Sequence, residues 1–213
     1  ILSANDQIAA EISALLRSKH IFSTNFMASP GAGKTNVILR TLEGLTPQFR
    51  CAVLEGDTAP VTIDSEKISE IGIPAIQINT GGECHLSAHL VQKGIQALDL
   101  DNLDFILIEN VGNLICPAAW KLGTDINVVI ASIPEGDDKP YKYPNIYRGI
   151  QALILNKIDL KPYLDFNVSY FKDGISALNP EVNFFEVSAK TGEGIPEWVN
   201  WLKARIKAVQ EIH

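Results

Sequence analysis

The chain has 213 residues, 46% hydrophobic and 20% charged, a length and balance that predict a single globular domain with a real core and exclude a disordered chain. Its net charge of -7, with no run of Lys or Arg, excludes nucleic acid as a partner, and its longest apolar runs, such as 105–108 and 128–133, fall far short of the about 18 residues a membrane span needs. The three cysteines, Cys51, Cys84 and Cys116, are too few and too odd in number for a secreted disulfide framework, so a cytoplasmic protein with thiols available to metal is expected.

The sequence opens at Ile1 with no methionine and no signal-like segment, which leaves a preceding metal-binding segment open. Ile8, Ile12, Leu15 and Leu16 recur at helical spacing before His20, predicting an amphipathic helix over 1–20 packed on the domain. Short apolar runs then alternate with helical patterns. The strands are expected at 21–27, 51–54, 75–78, 105–108, 126–133, 152–155 and 184–187, and the helices at 34–45, 64–71, 85–98, 163–178 and 195–212. That rhythm predicts an α/β fold, a mostly parallel sheet flanked by helices. Trp198, Trp201 and Leu202 on the last helix read as core contacts, and Cys51 likewise reads as core.

The first strand runs into Ala28-Ser-Pro-Gly-Ala-Gly-Lys-Thr35, a phosphate-binding loop in its proper context between strand and helix. Gly31, Ala32 and Gly33 would wrap backbone amides around phosphate oxygens, aided by the helix dipole. Lys34 would touch the β and γ phosphates, and Thr35 would bind magnesium. Ala28 stands where the usual pattern has its first glycine, so the start of the loop must tolerate a Cβ. Further on, Asn156-Lys157-Ile158-Asp159 closes a strand. The Asp159 carboxylate can accept from both N1 and the 2-amino group of guanine, a pair of donors adenine lacks, while Asn156 reads the other edge.

Ser188-Ala189-Lys190 resembles the loop that completes the guanine pocket in GTPases, and the order of the motifs along the chain is the GTPase order. Where Ras-like GTPases carry Asp-x-x-Gly, this chain has Glu109-Asn-Val-Gly112. That exchange resembles the metallochaperone and cobalamin-related group of SIMIBI-class P-loop GTPases, whose members work as dimers. Asp57 resembles the group's magnesium-associated aspartate, although an Asp after a strand, taken alone, is more often a turn or helix cap. Asp64 ranks behind it and could be only a helix cap. Asp57 and Glu109 are expected to act with Lys34 in slow GTP hydrolysis, through magnesium rather than as a proton-abstracting base.

Cys84 and His85 follow Gly81-Gly82, and Cys116 comes after Gly112. Thiolate and imidazole suit zinc and nickel equally. From residue types alone, buried cysteines and a capping histidine are an equal reading. The strings Gly82-Glu-Cys-His-Leu86, Glu109 to Pro117 and Glu135 to Pro144 closely resemble the HypB family of hydrogenase nickel-incorporation GTPases. That resemblance implies that Cys84, His85 and Cys116 are metal ligands shared by two subunits of a GTP-favoured homodimer. It also implies partnership with the small zinc-containing nickel chaperone HypA and with a hydrogenase large subunit. His89, four residues after His85, is a minor candidate.

Other readings fit less well. The urease accessory GTPases carry a Cys-Pro-His metal motif, absent here. A signalling or translation GTPase would carry Asp-x-x-Gly. A partitioning ATPase would want a lysine where Ser29 stands and has no use for the guanine motif.

Overall fold

The computed structural model describes residues 2–57, 68 and 71–211. Seven strands, β1 (Phe22–Ala28), β2 (Cys51–Asp57), β3 (Ala75–Asn79), β4 (Phe105–Glu109), β5 (Ile126–Ser132), β6 (Ala152–Asn156) and β7 (Asn183–Glu186), form one sheet in the order β3-β2-β4-β1-β5-β6-β7. Every neighbouring pair is parallel. The central strands β1, β4 and β6 are buried along their whole length, which is why they read as continuous apolar runs rather than as alternation.

Helices cover both faces: α1 (Leu2–Ser18), α2 (Lys34–Leu45), α3 (Ala88–Gln96), the short α4 (Lys139–Lys142) and α5 (Pro144–Arg148), α6 (Val168–Leu178) and α7 (Ile195–Gln210). Helices α2 and α7 pack on one face around Phe26, Leu42, Trp198 and Leu202. On the other face, α1 and α3 bury Ile12, Leu16, Val91 and Ile95 against Leu54 and Ile106. Each fully buried Leu, Ile or Phe of this kind contributes about 1.5–3 kcal/mol. Trp198 is fully buried, lies edge-on to Phe185 at 5.3 Å and donates its indole N–H to the Thr41 hydroxyl at 2.8 Å. The reading of Trp198, Trp201 and Leu202 as core therefore matches their packing.

The N-terminal helix packs on α3, with Asn5, Ala9, Ile12 and Leu16 inward and Leu15 exposed. Its fit depends on Gly123, whose left-handed φ of 83° brings the chain so close that a Cβ there would lie 2.3 Å from the Ala9 carbonyl oxygen.

Helix starts differ from the sequence expectation at two places. The helix expected from His85 begins at Ala88, because the Ser87 side chain caps it by accepting from the Leu90 amide; Cys84 and His85 therefore sit in the loop before it. The helix expected from Tyr163 begins at Val168. Pro162 lies within a 3-10 turn over Ile158–Tyr163, and Asn167 supplies the cap. The helix expected over 64–71, and Asp64 with it, falls almost wholly outside the described residues. Among the described residues, no helix is long and apolar enough to cross a membrane.

Candidate functional site

The loop after β1 lies at the carboxyl ends of the strands, where chain order reverses on either side of β1 and doubly wound sheets form their crevice. Ala28 is fully buried as the last residue of β1, in register with Ile130, so an ordinary strand conformation accommodates its Cβ. Gly31 and Gly33 take left-handed φ of 80° and 88°. At Gly33 a Cβ would also lie 2.5 Å from the Asn156 side-chain nitrogen, so no other residue fits there.

Lys34, the first residue of α2, reaches back under the loop. Its ammonium lies 3.2 Å from Glu109 Oε1 at the end of β4 and donates to the backbone carbonyl of Asn110. Around it opens a cavity of about 650 Å³, with Ser29, Pro30, Gly31, Gly33, Thr35, Glu55, Asp57, Glu109 and Gly112 in its walls. The Thr35 hydroxyl and the carboxylates of Glu55, Asp57 and Glu109 line this space, oxygen donors of the kind magnesium takes, although among the described residues no group of three or more Asp, Glu, His or Cys converges to hold a metal. Of these, Glu55 was not singled out from sequence. It is buried on β2, in register with Glu109 on β4, and the only signal was its place two residues before Asp57.

A second cavity of about 650 Å³ adjoins the first through Gly33, Asn36 and Lys157, and is walled by Leu39, Arg40, Asp159, Ala189 and Lys190. Asp159 Oδ1 accepts from the Ser188 hydroxyl at 2.6 Å. Asn156 does more than the motif suggested. Its buried amide donates to the Ala32 carbonyl at 2.9 Å and accepts from the Ala189 amide at 3.1 Å, stapling the phosphate loop to the loop after β7. Lys157 adopts a left-handed φ of 61°, a conformation that costs a non-glycine residue about 1–2 kcal/mol. From there its ammonium bonds the Gly31 carbonyl at 2.6 Å. The segments Asn156 to Asp159 and Ser188 to Lys190 and the phosphate loop thus form one braced unit.

The cysteine and histidine candidates also come together. Cys84 is exposed, and the neighbouring Cys116 thiol raises the pKa of the Cys84 thiol above its ordinary value. Its sulfur lies 3.9 Å from His85 Nδ1. The His85 ring stacks on Trp120 at 4.3 Å, and its Nε2 is buried with no hydrogen-bond partner among the described residues. Within one chain, no group of three or more such side chains converges to hold a metal among the described residues. His89 is exposed on the first turn of α3; since His85 precedes that helix, the four-residue spacing does not put the two on one face. Cys51 is buried in the core, and burial pushes its thiol up to about 12.

Buried polar groups that the sequence did not advertise tie these parts together. Asn5 of α1 accepts from the Ala88 amide at 2.8 Å and donates to the Lys121 carbonyl at 2.9 Å. Glu135 accepts from the hydroxyls of Ser29 and Ser132, bracing the start of the phosphate loop. Asn25, Asn110 and Asn127 form a chain of side-chain hydrogen bonds beneath the loop. None of these positions has a local sequence pattern, because each is defined by partners far along the chain.

Comparison with known proteins places this arrangement. The family model described as CobW/HypB/UreG, nucleotide-binding domain, matches residues 23–186. The chain is 43% identical over 219 residues to the hydrogenase maturation factor HypB of Azotobacter vinelandii, covering 99% of this chain and 72% of that protein. The crystal structure of HypB from Archaeoglobus fulgidus superposes with a TM-score of 0.90 at 35% identity, covering 96% of this chain and all of that one. HypB from Helicobacter pylori in complex with nickel gives a TM-score of 0.91 at 35% identity over 99% of both chains.

Proposed function

The chain belongs to the CobW/HypB/UreG family and, within it, to the HypB hydrogenase maturation factors, and on that premise we propose that it is a GTP-hydrolysing metallochaperone delivering nickel during hydrogenase maturation. The observation that carries this reading is the linkage of two chemistries in one short segment. Gly112 walls the cavity around Lys34, and Cys116, a neighbour of Cys84, lies four residues later. The nickel complex of a relative 35% identical to this chain supports nickel as the cargo.

In this reading GTP lies across both cavities. Asp159 accepts from N1 and the 2-amino group of guanine. Ala189 and Lys190 close over the base, and Lys157 covers the span between base and phosphates. The amides of Gly31, Ala32 and Gly33 face the phosphates, and Lys34 leaves Glu109 and Asn110 to neutralise the β and γ oxygens. Thr35, Asp57, Glu55 and Glu109 would hold magnesium, which when bound spreads the charge developing on the transferred phosphoryl group. Phosphoryl transfer asks mostly for positioning and charge neutralisation, so no proton-abstracting base is required of these carboxylates. Turnover is slow without a stabilising arginine from a partner.

The cargo site lies at the surface. Cys84 is exposed, and Ile115, beside Cys116, is 66% exposed. A second copy of the chain would complete the ligand set with its own thiols and imidazole, giving a homodimer favoured by GTP. HypA and a hydrogenase large subunit are the expected partners, in the cytoplasm, with the whole chain acting as one P-loop domain. The thiolates also suit zinc, so nickel and zinc compete for the site. Titrating nickel and zinc into the wild type and Cys84→Ala tests the site. The variant is expected to lose more affinity than the ~10–100-fold caused by removing a residue that merely supports a ligand, while Cys51→Ala keeps the wild-type value. Equal affinity in Cys84→Ala and wild type overturns the metal assignment.

A further inference from the structure

We propose that Asn110 is the positioning residue that couples the phosphate site to the metal loop, an inference that rests on the metallochaperone reading above. Asn110 is fully buried at the end of β4, and every polar group it carries is engaged. Its backbone amide donates to the Phe26 carbonyl at 2.9 Å, fixing it to β1 just before the phosphate loop. Its backbone carbonyl accepts from the Lys34 ammonium. Its side-chain oxygen accepts from two amides, Val111 at 3.0 Å and Leu86 at 3.1 Å. Its side-chain nitrogen donates to Asn25 at 3.1 Å, which in turn donates to Asn127 at 3.0 Å.

The Asn110 carbonyl and the Val111 N–H belong to the same peptide plane. One edge of that plane is held by the phosphate-binding lysine. The other is held by the side-chain oxygen that also carries the Leu86 amide. Leu86 directly follows His85, and its side chain is wedged against Gly56, where a Cβ would lie 2.6 Å from Leu86 Cγ. The Cys84-His85 loop is therefore anchored at its downstream end by a residue that reads the position of Lys34.

A phosphate and the Asn110 carbonyl compete for the same ammonium. When Lys34 moves to the β and γ phosphates, the 110–111 peptide loses the hold on its carbonyl edge and is free to turn. The Val111 and Leu86 amides then redistribute over the Asn110 oxygen. Because buried donors must keep a partner, a turn of the peptide is felt at Leu86 and so at Cys84 and His85. Val111 also leads directly to Gly112 and Cys116, so both arms of the metal site are moved from one plane. Asn25 and Asn127 hold the Asn110 amide from below, making it a fixed pivot.

By linkage, metal that binds one nucleotide state better must tighten that nucleotide by the same factor. The test measures the affinity of a fluorescent, non-hydrolysable GTP analogue with and without nickel, in wild type and in Asn110→Ala. Nickel is expected to change the wild-type affinity by about 5–150-fold, and Asn110→Ala to bring that ratio close to one while each ligand alone still binds. A wild-type ratio of one overturns both the coupling and the reading it rests on. A coupled wild type with an equally coupled Asn110→Ala overturns only the role of Asn110. Should the variant not fold, the wild type decides through the hydrogen exchange of the Leu86 amide. Its rate is expected to change when the analogue binds, and an unchanged rate overturns the proposal, since a purely structural asparagine would leave Leu86 unmoved.

Discussion

Lys34→Ala is expected to reduce GTP turnover by on the order of 100- to 1,000-fold, the loss typical when a charge-stabilising donor is removed from a preorganised site. Lys34 is the cation whose contacts with Glu109 at 3.2 Å and with the Asn110 carbonyl keep it inside the phosphate cavity. Alanine removes the charge that would meet the β and γ oxygens. It also leaves the buried Glu109 carboxylate without this partner, an arrangement that costs stability. A melting curve therefore accompanies the phosphate-release assay, so that loss of fold and loss of chemistry are read separately. A folded Lys34→Ala protein with normal turnover would contradict the assignment.

Asp159→Asn is expected to weaken GTP by about 100-fold or more, because hydrogen bonds to a charged group are worth about 1.5–3 kcal/mol each and guanine makes two to this carboxylate. Asparagine keeps an acceptor for the Ser188 hydroxyl, now 2.6 Å from Asp159 Oδ1, so the pocket itself is preserved. Its amide can donate to the 2-oxo group of xanthine, and the variant is expected to gain affinity for xanthosine triphosphate as it loses GTP. Competition binding with both nucleotides reads the exchange. Unchanged GTP affinity would mean that the base lies elsewhere.

The candidate nucleotide site was readable in the sequence because its parts are contiguous. A strand, a glycine-rich loop and a helix follow one another from Phe22 to Leu45, and the guanine motif closes its own strand at Asn156. The parallel sheet was legible for the same reason, since strands buried on both faces leave unbroken apolar runs. What was not legible depends on meetings across the chain. Asn110 contacts residues 76, 24 and 85 positions away, and Glu55 matters only because β2 pairs with β4. Periodicity extended a helix back to His85 because it weighed apolar spacing above the Ser87 cap, and the cap is what leaves Cys84 and His85 in the loop before the helix. Leu15 was assigned inward by spacing but is exposed; Asn5, a polar residue, takes a buried place instead because Ala88 and Lys121 satisfy its amide.

Nucleotide state is expected to gate the hold on nickel. The most direct measurement is the nickel affinity of the wild-type protein, with its oligomeric state, in GDP and in a non-hydrolysable GTP analogue. Gly112 would be drawn in by a γ-phosphate, as switch segments are in GTPases, and it already lies against the phosphate loop, where a Cβ would be 3.4 Å from Pro30 Cγ. Cys116 follows in the same segment, whereas Cys84 and His85 hang from the loop after β3. The affinity is expected to differ between the two states by about 5–150-fold, and the GTP analogue to favour a dimer. Equal nickel affinity in both states, with the same oligomer in each, would contradict it.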